Sequence, residues 1–506
     1  MTPTLTAYRK GKSGTAVLLV ASTGCAMTVL DTNVVGIVLP TIARDLSASF
    51  AEVEWVISAY VLCFAAMLLP AGSIADRFGR RRVLLYGIAL FALASLACGL
   101  SPSASSLYLA RAAQGVGAAF LLAPALAIIG HTFHEEHARS RAWAIWGGIM
   151  GLTMVVSPLI GGVISSTLGW RWAFHINIPI CALLAISVLA LVDESKDPTP
   201  RTLDFPGISL FALGMFSLTW ALILGPGHGW MSIAVVSRFL CGFALFIVFS
   251  LVERRRKHPM LDLGLFTSWP FAGAILAMFA YASSAQVMAS LLPLFLQNGR
   301  GSGALAAGIG MLPFALAMLI FPQIGRRLSR YLNSAHILTL GLGVVALGNL
   351  ILMFAARQTG EIALVAGMAV LGAGGGLLNG ETQKAIMGTV PRNRAGMASG
   401  ISTTSRFVGI LIGFAGLGAV LATGARQDLE LAMSMSSLPL RSGFIDSIIA
   451  GDLERAIAAY PSSMVSTLRE IAHNSYSLGF SNASLVAALI AVVAATVVFV
   501  TMKGAK

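Results

Sequence analysis

Between Val53 and Arg82 the chain reads VEWVISAYVLCFAAMLLPAGSIADRFGRRR, an apolar run that ends in a short turn carrying Arg77, Arg80, Arg81 and Arg82. A helix of about 18 or more apolar residues crosses a hydrocarbon layer of about 30 Å. The pattern repeats in both directions. Apolar runs begin near Thr15, Val53, Val83, Ser106, Ser140, Ala173, Phe205, Met231, Phe271, Ala304, Ala335, Ile362, Gly396 and Leu485. Of the 506 residues 57% are hydrophobic and 11% charged, against about 25% charged in a soluble domain. The composition excludes a soluble protein and predicts an all-α membrane protein of about fourteen transmembrane helices. The first run follows Arg9, Lys10 and Lys12 as a secretory signal would, but further spans follow it, which predicts a retained helix.

A net charge of +13 would suit nucleic acid if it formed one basic face. Instead it alternates by loop. One set of turns holds Arg77 with Arg80 to Arg82, Arg139 with Arg141, Lys196 with Arg201, Arg254 to Lys257, Arg326 with Arg327 and Arg330, and Arg392 with Arg394. The intervening short turns hold only Arg44, Arg171, Arg300 and Arg357. This asymmetry orients a membrane protein with its basic loops inside. It places both termini in the cytoplasm, makes the lipid bilayer the surrounding partner and argues against nucleic acid. The five cysteines lie in apolar runs without paired spacing, so neither a disulfide framework nor a metal site is expected.

In the turn from Gly72 to Arg82 each residue type has a physical task. Gly72 is expected to let helices approach closely, Gly79 to permit a tight turn, and Asp76 to pair with an arginine or with a helix N-terminus. The string as a whole resembles the loop signature of the major facilitator superfamily, with Ile74 at its leucine position. Leu109 to Gly117, with Arg111, Gln114 and Gly115, is similar to that superfamily's R-x-x-Q-G motif, whose arginine is linked to proton coupling. Residues 157–162, SPLIGG, resemble the antiporter motif, with Ser157 where glycine is usual. Pro158 bends that span, and the small residues Gly147, Gly148, Gly151, Gly161 and Gly162 are expected to pack it against neighbours. Trp170-Arg171-Trp172 through Asn177 and Pro179, Leu30-Asp31 through Pro40, and Ala398-Ser399-Gly400 with Ser405, Arg406 and Gly409 are similar to segments of the fourteen-span drug:proton antiporters. His175 falls at a variable position and reads as an interfacial residue.

The resemblance implies two six-helix bundles, residues 1–200 and 258–506, with two further helices inserted at 201–257. Ile324 to Arg330 reads as a degraded second copy of the loop signature, with Arg326 at the acid position. The stretch of about 425–480 is expected outside the membrane as short amphipathic helices. It reads as a lid, or else as a docking site.

An uncompensated carboxylate inside a bilayer costs about 2.5 to 3.5 kcal/mol on insertion scales, so intramembrane acids are functional candidates. Asp31 and Glu381 qualify. A buried carboxyl could bind either a proton or a cationic substrate, and Asp31 matches the acid of the family's L-D-x-T motif, with Asn33 and Gly36 departing from the usual residues. Arg111 either joins that chemistry or snorkels to the interface; Glu381 either titrates or is neutralised by Lys384. Arg406 lies deep in its span and needs a partner. No ATP-binding loop is present, because Gly11-Lys12-Ser13 lacks the upstream glycine and strand. The expectation is therefore a proton-driven exporter of drugs or other amphipathic or cationic small molecules in a bacterial cytoplasmic membrane. It is not an enzyme, and it needs no cofactor, metal or catalytic residue. Its partners are the small-molecule substrate and protons. Some family members also dock on a periplasmic adaptor protein, and that partner stays open. The alternatives are a proton-coupled importer, which the string around Pro158 disfavours, and a channel or non-transporting protein, for which no charged ring or filter repeat is visible.

Overall fold

Short polar caps cut the apolar runs into helices. Ser49 and Glu52 form a reciprocal capping box at the start of one helix, Ser103 and Ser106 do so at another, and Asp204, Ser232 and Asn333 cap three more through their side chains. The structure, a computed structural model, describes residues 14–503 apart from 134, 197–203, 257–262, 359, 391–394, 437–443 and 459. Arg9, Lys10 and Lys12 lie outside the described residues, as do Arg201, Lys257, Arg392 and Arg394 of the orienting set and the side chains of Arg139 and Ser399.

The first six long helices are α1 (Gly14–Leu46), α2 (Phe50–Phe78), α3 (Arg80–Gly99), α4 (Ala104–Thr132), α5 (Glu136–Thr167) and α6 (Trp172–Leu191). Then come α7 (Phe205–His228) and α8 (Ile233–Arg255), followed by α9 (Trp269–Gly299), α10 (Ala304–Leu328), α11 (Ser334–Ala356), α12 (Glu361–Gly388) and α13 (Ala395–Met435). Two short helices, α14 (Phe444–Ala450) and α15 (Leu453–Ala458), precede the last long one, α16 (Ser462–Met502). Among the described residues, 14 helices are long and apolar enough to cross a membrane. They form two bundles, α1 to α6 and α9 to α13 with α16, while α7 and α8 pair with each other. Helix α7 also lies on the seam where α2 meets α13.

The last span departs from expectation. The sequence places its start near Leu485, yet α16 begins at Ser462, and both α13 and α16 run 41 residues. At 1.5 Å per residue that is about 60 Å, twice a bilayer core. No proline interrupts the chain between the amphipathic stretch and the apolar one, so a single helix continues through both. The short amphipathic helices expected nearby are α14 and α15. With the ends of α13 and α16 they close a small apolar core around Leu429, Phe444, Ile448, Ile457 and Leu468, against which Phe50 of α2 also packs.

Close packing depends on glycine where backbones touch. A Cβ on Gly117 of α4 would stand 2.7 Å from the Phe91 nitrogen of α3, and one on Gly372 of α12 would stand 2.3 Å from the Phe314 carbonyl of α10. Gly72 is different. A Cβ there would meet Ala123 at 3.9 Å, an ordinary contact, so the close approach expected at this glycine is not a steric need. Gly147 and Gly148 likewise face open space.

Candidate functional site

Helix α1 carries Asp31 on the face that turns into its own bundle, where the side chain is 1% exposed. Arg111 of α4 is fully buried and donates to Asp31 Oδ2 at 2.5 Å. It does not snorkel: its Nη1 also reaches Gln114 Oε1 at 2.6 Å, and its Nε donates to the Val56 carbonyl of α2 at 3.0 Å. The guanidinium lies over the Tyr60 ring, 4.1 Å from the centroid. Asp31 Oδ1 accepts from Gln114 Nε2 at 2.8 Å and from Asn177 Nδ2 at 3.1 Å, and both amides also reach Ser95 Oγ. The network thus ties α1 to α3, α4 and α6. A buried ion pair is sustainable only when its remaining donors and acceptors are met in this way.

The other face of α1 is different. Thr32, Asn33 and Gly36 line a small, closed cavity of about 10 Å³ between the two bundles, room for about one water, together with Pro158 of α5, Ser290 of α9 and Phe314 of α10. Its wall is apolar with hydroxyl and amide groups, and none of its lining residues is ionised. Asn33 spends one amide donor on the Val29 carbonyl of its own helix, at 2.8 Å. The acid and the cavity are therefore separated by the thickness of one helix.

The segment around Pro158 closes this cavity on the side opposite the Asp76 turn. A Cβ on Gly161 would stand 3.0 Å from Ile37 Cβ, and one on Gly162 would stand 3.0 Å from the Ala304 carbonyl. From the opposite side, a Cβ on Gly308 of α10 would lie 2.5 Å from the Pro158 carbonyl. Gln297 of α9 adds a bond across the bundles, donating to the Ile37 carbonyl at 2.9 Å. The motif glycines thus act at the contact between halves. Gly151 approaches only the tip of Leu319, at 3.1 Å.

In the turn between α2 and α3, Gly79 has φ +114, a backbone state that L side chains rarely adopt. Arg80 donates to Asp76 Oδ1 from Nε at 2.9 Å and from Nη2 at 2.8 Å. Arg77 is exposed, over the Phe78 ring. The sequence reading missed the residue that organises the turn. Glu194, just past α6, accepts from the Arg81 and Arg82 backbone nitrogens at 3.0 and 3.2 Å and so caps the start of α3. Its carboxyl fills the space a Cβ on Gly79 would need.

The second half holds less charge chemistry. Glu381 accepts from Ser334 Oγ at 2.6 Å and from Lys384 Nζ at 3.0 Å, which ties α12 to the start of α11. Arg406 of α13 donates to Gln286 Oε1 in a π-helical segment of α9, at 2.9 Å. His175 packs over Gly99 and edge-on to Trp172. Asp45, also missed, holds Trp170 and Arg171 at 2.9 and 2.6 Å. A third omission is Glu54 of α2, 1% exposed, whose carboxylate oxygens have no hydrogen-bond partner among the described residues. Its place one residue inside an apolar run reads as headgroup level; only the packing of α13 against α2 shows that it is sealed.

Two helical bundles of apolar spans around a shared cavity, with a buried ion pair behind one wall, make this a multi-pass membrane protein with a transporter fold. The chain belongs to the Major Facilitator Superfamily, whose sequence profile matches residues 21–414. It is 36% identical over 414 residues to the multidrug resistance protein Stp of Mycobacterium tuberculosis, covering 82% of this chain and 77% of that one. It is 30% identical over 493 residues to the tetracenomycin C resistance and export protein of Streptomyces glaucescens, covering 96% and 91%. It is also 30% identical to the multidrug efflux pump LfrA of Mycolicibacterium smegmatis, over 94% and 93% of the two chains. A crystal structure of a bacterial homologue of the human lysosomal transporter Spinster, inward-facing and occupied, matches with a TM-score of 0.67 over 97% of this chain and 96% of that one. At 16% identity this likeness is one of fold.

Proposed function

We propose that the protein exports amphipathic small molecules, drugs among them, across a bacterial cytoplasmic membrane in exchange for protons. In this reading the Asp76 turn and both termini face the cytoplasm, and the opposite side faces out. The observation that carries the reading is the double use of α1. Asp31 sits in the buried network behind it, while Thr32, Asn33 and Gly36 line the cavity before it. A proton arriving on Asp31 weakens its pairing with Arg111 and frees α1 to shift; substrate in the cavity bears on the same helix. The kinship with the multidrug resistance and efflux proteins supports the direction of transport. A cavity wall without ionised side chains suits uncharged or weakly basic amphipaths better than a fixed cation.

Reconstituted vesicles with an imposed pH gradient test the proposal against a panel of fluorescent neutral and cationic amphipaths. Substrate should move against the proton flow and stop on adding an uncoupler. Movement in the same direction as protons would make the protein an importer instead. Flux that ignores the gradient would end the antiport reading.

A further inference from the structure

Helices α2 and α13, one from each bundle, meet along a seam of matched notches and knobs. Leu69 fills the space beside Gly400, where a Cβ would stand 2.2 Å from Leu69 Cδ2, and Phe64 meets Phe407 with centroids 4.1 Å apart. Near the end opposite the Asp76 turn the third knob is a carboxyl group. Glu54 fills the notch at Gly418, where a Cβ would lie 1.9 Å from Oε1. Phe50 covers the notch, its ring edge 3.8 Å from the same Cβ position, and the apolar cluster of α14 and α16 covers Phe50.

Among the described residues no group on the packed elements answers this acid with a hydrogen bond. On α2 itself Glu52 is taken by the Ser49 cap. On α13 and α14 Arg426 is paired with Asp446, and Asp428 accepts from Ser475. On α4 Arg111 faces Asp31, and on α1 Asp45 faces Arg171. On α7 His228 is exposed, and the arginines that begin α3 lie at its other end. Tyr476 of α16 lies within electrostatic reach of Glu54 but carries no positive charge to offer.

We propose that Glu54 is a gate proton site: the two bundles close on the outer side only around a protonated Glu54. An ionised carboxylate in that notch would lose its water and gain neither cation nor donor. Parting of α2 from α13 would return it to outer water, where it releases its proton. The proton enters and leaves from one side and is not the cargo proton, so this role adds to that proposed for Asp31. It rests on the export reading above, taken as transport by two bundles that part on one side at a time.

The test is a distance measurement on the full chain in liposomes, without any drug. Spin labels at Thr167→Cys of α5 and Ala306→Cys of α10 report the outer gap, in a background where exposed Cys241 is changed to Ser. With the interior pH held constant, raising the external pH should lower the ratio of closed to open outer gaps, by up to about tenfold per pH unit for a single proton. Glu54→Gln and the apolar Glu54→Leu should both stay closed and lose this dependence. A wild-type gap that ignores external pH overturns the proposal whatever the variants do. So does a Glu54→Gln or Glu54→Leu protein that follows the wild-type profile. Since no substrate is present, failure here leaves the export reading standing, and failure of drug flux leaves this titration untouched.

Discussion

Among the described residues each bundle holds one arginine well inside a span, and the two are held in unlike ways. Arg111 in the first bundle is fully buried, paired with Asp31 and bonded to a backbone carbonyl and an amide. Arg406 in the second is partly buried and bonded to the neutral Gln286. The first arrangement changes when a proton binds, because one partner loses its charge. The second keeps its charge at any ordinary pH, because a guanidinium does not titrate and an amide cannot. On the proposed reading, proton sensitivity lies behind α1, whereas the Arg406 contact in the second bundle involves no carboxylate and does not change with a proton.

The strongest way to break that contrast is at Asp31. Removing one partner of a buried ion pair costs about 3–5 kcal/mol. Asp31→Asn should therefore lower the melting temperature in detergent and abolish proton-coupled export, with some flux of neutral substrates surviving. Pairing it with Arg111→Gln should recover much of the stability but none of the coupling. A single variant that still exchanges protons for substrate at the wild-type ratio would remove Asp31 from the mechanism.

Arg406→Ala should matter less. A hydrogen bond to a charged group contributes about 1.5–3 kcal/mol, and partial exposure puts this one at the low end. Melting should shift modestly, and the pH profile of transport should keep its shape while its amplitude falls. A changed profile would mean that the second bundle also carries proton chemistry.

What could be read from the sequence follows the same division. Helix count is legible because hydropathy over a span is a local property of Val53 to Pro70 and its equivalents, whereas the inserted pair follows from the family resemblance. The Asp31 and Arg111 candidates were legible because acids and arginines are costly in apolar runs. Their pairing was not, since 80 residues separate them. Glu194 escaped notice because it lies in an unremarkable polar turn and gains meaning only when α6 ends beside the start of α3. Glu54 escaped because burial of the first turns of α2 depends on α13, which lies far along the chain. Gly72 misled in the other direction: its place in a signature suggested a close contact that the helix spacing does not require.

The smallest stability effect is expected at the turn between α2 and α3. Asp76 is about one third exposed and its partner Arg80 about one sixth, and pairs of this kind contribute about 0–1 kcal/mol. The fold of the turn does not depend on this pair alone, because Glu194 caps α3 and fills the space beside Gly79 independently. Asp76→Asn should therefore insert and melt like the wild type. If the turn acts as a latch between transport states, turnover should nevertheless fall, because an amide no longer holds Arg80 by charge. Glu194→Gln supplies the control: it loosens the helix cap by about 0.3–1 kcal/mol while leaving Asp76 and Arg80 paired. Reduced turnover for Asp76→Asn with near-normal turnover for Glu194→Gln assigns the latch to the ion pair. Equal losses assign it to the rigidity of the turn, and wild-type turnover in Asp76→Asn removes the latch altogether.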